Sequence, residues 1–338
     1  MSENIAVVFA SLLLLSSLSG GGAAPPAPEP VHRLLLVANQ GDHTLLIIDP
    51  GTREQLAKIS VGVNGHEVIA SRDGKFAYVP IYGNAGVGKP GTDGSTIDVI
   101  NIKERKLETT IDLGKPLRPH RVEVGADGML YVTAELDNAL AVVDPATKKI
   151  VAEIPTGVTQ SHMFVLTPDG KRAYTANVST GTVSVLDVAK RSLITTIEVA
   201  KHVQRISISA DGRWVFTHDQ DAPQIAVIDT TTNKVANWIK LPATVYSSQP
   251  TPDGKMLVAN SASGRIFVIG LGDMKVSGTY DIPAAIGEVL ITPDGERAYV
   301  SCPGAGTIEV LNLREQKLEA PFTLTKGVDG LAWALVGK

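Results

Sequence analysis

Six of the eight Asp-Gly dipeptides stand at almost even steps along the chain, and that spacing constrains the fold more than any other feature. The pairs are Asp73-Gly74, Asp127-Gly128, Asp169-Gly170, Asp211-Gly212, Asp253-Gly254 and Asp294-Gly295, at intervals of 54, 42, 42, 42 and 41 residues. A β-rich stretch follows each one, as in Phe76-Ala77-Tyr78-Val79, Leu130-Tyr131-Val132-Thr133 and Arg172-Ala173-Tyr174-Thr175. Asp-Gly between two strand-like runs marks a hairpin, because glycine supplies the positive φ that the turn demands. A fixed period of this length signals a repeat architecture.

Each repeat continues with a second alternating run that ends in Asp or a substitute, such as Thr182-Val183-Ser184-Val185-Leu186-Asp187. A polar turn and a fourth strand follow, as in Pro145 to Lys149 and then Ile150 to Ile154. Four strands per unit with polar punctuation make a propeller blade. The first unit starts at Leu34 and lacks an innermost strand. The tail segment Gly327 to Trp333 matches Gly62 to Val68, where the second unit begins. The expected fold is therefore all-β: a seven-bladed β-propeller of four antiparallel strands per blade, its ring closed by the C-terminal strand completing blade 1. Closing the ring removes an exposed strand edge.

Tyr78-Val79, Tyr131-Val132-Thr133 and Tyr174-Thr175-Ala176-Asn177, following turns such as Pro168-Asp169-Gly170-Lys171, resemble the YVTN family of β-propeller repeats over residues 33 to 336. Similar repeats occur in surface-layer-type proteins, periplasmic propellers and propeller subunits of quinoprotein amine dehydrogenases. The resemblance implies a fold and leaves the activity open. The family often places Pro-His-Glu or Pro-His-Gly before the inner strand. Gly65-His66-Glu67, Pro119-His120-Arg121 and Ser161-His162-Met163 are similar, whereas Gln204, Tyr246 and Gly287 replace the histidine in later repeats.

Residues 1–24 read as a signal peptide, with an apolar run from Ile5 to Leu15 followed by small residues. An uncleaved anchor is the alternative, since Glu3 replaces the usual basic residues. Residues 25–32 form a Pro-rich linker, and 33–338 form the propeller. A periplasmic or extracellular location is expected, with no membrane span in the mature form. The net charge is -4 and no Lys/Arg run occurs, so the electrostatic footprint of a nucleic-acid binder is missing. The single cysteine, Cys302, allows neither an intrachain disulfide nor c-type haem attachment. It reads as a small buried hydrophobe.

Strand direction in a propeller places the mouth of each inner strand and the loop between second and third strands on one face, the entrance face. His66, His120 and His162 each stand seven residues before their Asp-Gly, and His43, His202 and His218 fall on the same face. Three imidazoles at one register on neighbouring blades are a candidate transition-metal set. Capping of the strand mouths is the alternative role. Glu67 and Glu135 are candidate bases or further ligands. Arg121, Arg205, Tyr82, His218 and Tyr246 are candidate ligand-binding residues. Glu67, Arg121, Arg205 and Glu288 share the register one residue further on and are expected to form inter-blade ion pairs at a solvated rim. Arg118 and Lys115 read as exposed loop residues. One long insertion, Tyr82 to Gly94, falls on the entrance face, and its glycines lack the spacing of a nucleotide-phosphate loop.

Three functions fit these residues. The first is an exported binding or scaffold propeller, expected as a monomer, that presents its His-rich face to a small ligand or a protein. The second is a metal-dependent lactonase or lyase at the channel mouth. The third is an accessory subunit of a redox complex.

Overall fold

The protein is described from a computed structural model covering residues 32–261 and 263–337; the expected signal peptide and nearly all of the linker lie outside the described residues. Among the described residues, twenty-eight strands, β1 to β28 in chain order, form seven four-stranded antiparallel sheets. Blade 1 consists of β28 (Val328–Val336), β1 (His32–Asn39), β2 (Thr44–Ile48) and β3 (Gln55–Ser60), from the channel outward. Blade 2 holds β4 to β7, from Ile69 to Asp112, and blade 3 holds β8 to β11, from Pro119 to Pro155. Blades 4 to 7 continue in the same order, ending with β27 (Lys317–Thr323). Among the described residues no helix is long and apolar enough to cross a membrane.

Both hairpin types follow from local sequence. At the inner turns, Ser71 Oγ and the Lys75 amide donate to Asp73 Oδ1 at 2.6 and 3.1 Å, while Gly74 takes φ +69°. The same bonds recur around Asp169, Asp211, Asp253 and Asp294. Blade 3 has Gly125 in place of the hydroxyl residue, and there the Tyr131 hydroxyl donates to Asp127 at 2.9 Å. At the outer turns a strand-end carboxylate accepts turn amides, as expected; Asp49 Oδ1 accepts from Gly51 and Thr52. One residue in each outer turn is left-handed: Arg53, Arg105, Lys148, Arg191, Asn233, Met274 and Gln316. A bulge accompanies it in every blade, between the third and fourth strands.

Strand alternation packs the blades against one another. On β1, Leu34, Leu36 and Ala38 face blade 2, whereas Leu35 and Val37 face blade 7. Each neighbouring pair of blades shares one such apolar cluster. Tyr131, Tyr174, Phe216 and Tyr299 are buried in these interfaces, and Phe76 packs partly buried. Cys302 is fully buried, and burial pushes its thiol up to about 11.

The ring closes as expected. β28 pairs antiparallel with β1, with Leu34 opposite Ala334, Leu35 opposite Trp333 and Leu36 opposite Ala332. The internal match of the tail needs correction, because it set Asp329 level with Asn64. Asp329 instead stands at the channel mouth beside His66, two residues further along that match. Trp333 is half-buried against Tyr299 and donates from Nε1 to Ile291 O at 2.9 Å.

Gly74 and Gly254 occupy equivalent turns with φ near +69° and +68°, but their surroundings differ. A Cβ on Gly74 would stand 1.9 Å from the Leu335 carbonyl of the closing strand, whereas nothing lies within 4 Å of one on Gly254. Gly254→Ala is expected to cost about 1–2 kcal/mol for its backbone conformation alone. Gly74→Ala adds a backbone clash and should cost measurably more. Urea unfolding of both variants checks the difference; equal losses would contradict the packing of β28 against the blade-2 turn.

Candidate functional site

The inner strands bring one residue from each blade to the channel mouth: His66, His120, His162, Gln204, Tyr246, Gly287 and Asp329. All but Gly287 line a cavity of about 240 Å³, together with Tyr82, Arg205, Gln40 and Asn64. His66, His120 and His162 are buried. Their rings run in sequence, with centroids 4.6 Å apart for His66–His120 and 3.7 Å for His120–His162.

Hydrogen bonds fix which nitrogen does what. His66 Nδ1 lies 3.0 Å from the Asn64 carbonyl, which can only accept, so Nδ1 carries a proton and, in the neutral ring, Nε2 is a lone pair. That lone pair faces His120 Nε2 at 2.9 Å. Burial, together with neighbouring His162 and His66, holds the His120 pKa well below its ordinary value, so His120 is neutral and donates from Nε2. Its Nδ1 is buried without a protein partner. His162 Nδ1 bonds to buried Glu135, and its Nε2 lies 3.2 Å from Gln204 Nε2. The Tyr82 hydroxyl donates to the other Glu135 oxygen at 2.9 Å. Burial and then the Glu135 charge push the Tyr82 pKa up.

One residue deeper, the charged register closes the channel. Glu67 accepts from Arg205 Nη1 at 3.0 Å and from Arg121 Nη1 at 3.1 Å. Glu288 lies 3.6 Å from Arg121 and 3.9 Å from Arg205, and it accepts the Leu331 amide at 2.8 Å. Inter-blade ion pairs were expected here, and they form. Their setting differs from the expected solvated rim: Glu67 and Arg205 are only 2% and 4% exposed. Burial works to raise the Glu67 pKa, but Arg205 and Arg121 outweigh it and keep the carboxyl ionised below its usual range. Burial and the Glu67 charge push Glu288 up to about 8. A second cavity of about 300 Å³, walled by all seven inner strands, lies on the far side of this layer.

The insertion folds over the mouth, where Ala85, Gly86 and Val87 line the cavity. Arg118 holds it there. Its Nε donates to Asp93 at 2.7 Å, and Nη1 and Nη2 donate to the Gly86 and Lys89 carbonyls at 3.1 and 3.0 Å. Arg118 is buried at 7% exposure rather than an exposed loop residue; the carbonyls of the folded insertion supply what solvent would otherwise provide. Lys115 is exposed and pairs with Glu153 at 3.2 Å.

Nine of the ten candidate residues thus meet at the mouth or in the layer beneath it: His66, His120, His162, Glu67, Glu135, Tyr82, Arg121, Arg205 and Tyr246. Arg205 donates to the Tyr246 hydroxyl at 3.4 Å with its guanidinium 4.9 Å over the ring, and its Nε has no protein partner. His218 stands apart. It belongs to strand β17 (Trp214–Asp219) rather than a loop, is fully buried, and bonds Ser248 Oγ at 2.8 Å. Burial and then Arg205 depress its pKa to about 3. His43 and His202 are exposed at the periphery, where His202 pairs with Asp221 at 2.8 Å. Arg118, Gln204 and Asp329 were not among the candidates. The register of Gln204 with the three histidines was a readable signal; Arg118 carried none.

This fold and mouth define a seven-bladed β-propeller repeat protein with a His-lined channel entrance. The chain belongs to the DUF5074 family, described as a domain of unknown function, whose model matches residues 120–297. It is 25% identical over 214 residues to the uncharacterized protein YncE of Salmonella typhi, covering 61% of this chain and 59% of that protein. It is 22% identical over 249 residues to the seven-bladed beta-propeller protein Rv1057 of Mycobacterium tuberculosis, covering 61% and 63%. The chain thus spans about three fifths of the length of these curated relatives. Among solved structures, hydrazine synthase of Kuenenia stuttgartiensis superposes with a TM-score of 0.69 at 18% identity, over 88% of this chain and 99% of that one. Dihydro-heme d1 dehydrogenase NirN in complex with DHE gives 0.64 at 16% identity, over 93% and 78%. These two likenesses establish the fold alone.

The raised Glu288 pKa has a signed consequence. Between the unfolded value near 4.5 and the folded value of about 8, the folded state binds more protons, so stability falls as pH rises through that window. Glu288→Gln, which stays neutral, should lack this loss. It is expected to gain on the order of 1–3 kcal/mol over wild type at pH 8.5 relative to pH 5. Urea midpoints at the two pH values test it, and parallel changes in both proteins would contradict a protonated Glu288.

Proposed function

We propose that the protein is an exported binding propeller that captures a small polar ligand in the cavity at its channel entrance. One observation carries this reading: six inner strands and the insertion converge on a cavity of about 240 Å³ lined by imidazole, amide, phenol, carboxylate and guanidinium groups. A concave site with convergent polar groups is the usual form of a small-ligand site. Arg205 Nε and His120 Nδ1, both buried without protein partners, offer a donor and an acceptor that a ligand would satisfy. Export rests on the apolar run from Ile5 to Leu15 and the small residues after it.

A metal-assisted lactonase or lyase is the second reading, favoured by the Glu135–His162 pair. A buried carboxylate on Nδ1 orients the imidazole with Nε2 at the cavity wall, the arrangement of a general base. In that reading His162 is the base, because Glu67 is held by two arginines and Glu135 by Tyr82 and His162.

The test is a thermal-shift and calorimetric screen of small carboxylates, amines, sugars and lactones against the metal-stripped full chain. At least one class should raise the unfolding midpoint. A variant with residues 84–92 replaced by Asn-Gly, combined with Arg118→Ser, should stay folded and lose the effect. No shift from any class, or an equal shift in the variant, contradicts the binding reading. Lactone turnover that survives His162→Gln contradicts the second.

A further inference from the structure

We propose that His66 and His120 hold one divalent transition-metal ion through their Nε2 atoms, with a Glu67 oxygen as the third protein ligand. The inference deepens the reading of the entrance cavity as a binding site and rests on it. A donor atom from each of these three buried residues lies within 4.8 Å of the others. Two nitrogens at about 2.0–2.1 Å from one ion stand roughly 3 Å apart, and the two Nε2 atoms are 2.9 Å apart.

Protonation already suits a ligand pair. The Asn64 carbonyl fixes a proton on His66 Nδ1, which in the neutral ring leaves Nε2 as a lone pair. A backbone carbonyl on the far nitrogen is a common support for a metal-bound histidine. Asn64 is itself fixed, taking φ +60° and donating from its side chain to the Gly83 carbonyl at 2.8 Å. His120 Nδ1 has no protein partner, so moving its proton from Nε2 to Nδ1 gives up only the bond to His66. Binding an ion therefore gives up the one hydrogen bond between the two rings.

The carboxylate and the surroundings fit as well. Arg121 and Arg205 hold the Glu67 oxygens in place, as hydrogen-bonded ligating carboxylates generally are. His162 lies outside the ligand set although its ring stacks on His120, because Nδ1 is taken by Glu135 and Nε2 faces Gln204. Three protein ligands leave a position open toward the cavity. Two imidazoles and one carboxylate select zinc, iron, cobalt, nickel or copper over calcium or magnesium.

The experiment uses the full chain without a histidine tag, stripped by chelation and titrated with Co²⁺ alone and Zn²⁺ alone. One equivalent of Co²⁺ should bind with visible ligand-field absorption, and Zn²⁺ should displace it. His66→Ala and His120→Ala should each weaken uptake at least about 100-fold, with unfolding midpoints showing that they still fold. His202→Gln, at the exposed periphery, should leave uptake within about threefold. If either alanine variant fails to fold, Zn²⁺ titration of the wild type followed by histidine ¹⁵N resonances replaces it, with His66 and His120 Nε2 expected to shift together. Absence of uptake by the wild type overturns the proposal, as does uptake indifferent to both substitutions or unshifted Nε2 resonances. A chain that takes up no metal but still binds a solute from the screen loses the metal site and keeps the binding cavity.

Discussion

Everything at the channel mouth depends on the ladder between β28 and β1. The last strand of the chain occupies the innermost place of the first blade, and it contributes Val328, Leu331, Ala332 and Ala334 to the interfaces with blades 7 and 2. Without it both interfaces would lose part of their core and β1 would present an open edge. The strand also stitches the site directly. The Gly330 amide donates to the His66 carbonyl at 2.9 Å, and the Leu331 amide donates to Glu288. A Cβ on Gly330 would stand 2.3 Å from the His66 carbonyl, so only glycine permits that approach. One segment thus joins blade 7 to blade 2 across the ring seam and sets the position of the first histidine.

Two layers of side chains then divide the channel. The outer layer is hydrogen-bonding, built from imidazoles, an amide, a phenol and the Asp329 carboxyl. The inner layer is ionic, and its glutamates are driven apart by their neighbours. Glu67 sits between two guanidinium groups and stays charged; Glu288, further from both and close to Glu67, favours its proton. Burial makes these differences large, since charges removed from water are sensitive to each nearby group. The ionic layer separates the entrance cavity from the larger one beyond it. Arg205 lines both.

Much of this was legible in the residues. Evenly spaced Asp-Gly turns, strand alternation and a missing first strand define seven blades, because each blade repeats the same local chemistry. The register of His66, His120 and His162 placed them together for the same reason. What the spacing could not convey was any contact made through folding of a non-repeated segment. Arg118 looks like a loop cation until the insertion wraps its carbonyls around it. Glu135 looks like a free base until Tyr82 and His162 converge on it from neighbouring blades. His218 looked like a loop residue because the second strand of blade 5 runs further than its alternation suggested. The glutamate–arginine register was visible, but its burial depends on how narrow the channel is, which no local pattern records.

The most direct test of the account is long-range ¹H–¹⁵N NMR of the metal-free protein with labelled histidines. It predicts a scalar coupling across the His120 Nε2–H···Nε2 His66 hydrogen bond, His66 protonated on Nδ1, and His120 still neutral at pH 5. Titration of His120 near pH 6.5 as a solvated imidazole, with no coupling to His66, would contradict the convergence of the blades on one buried site.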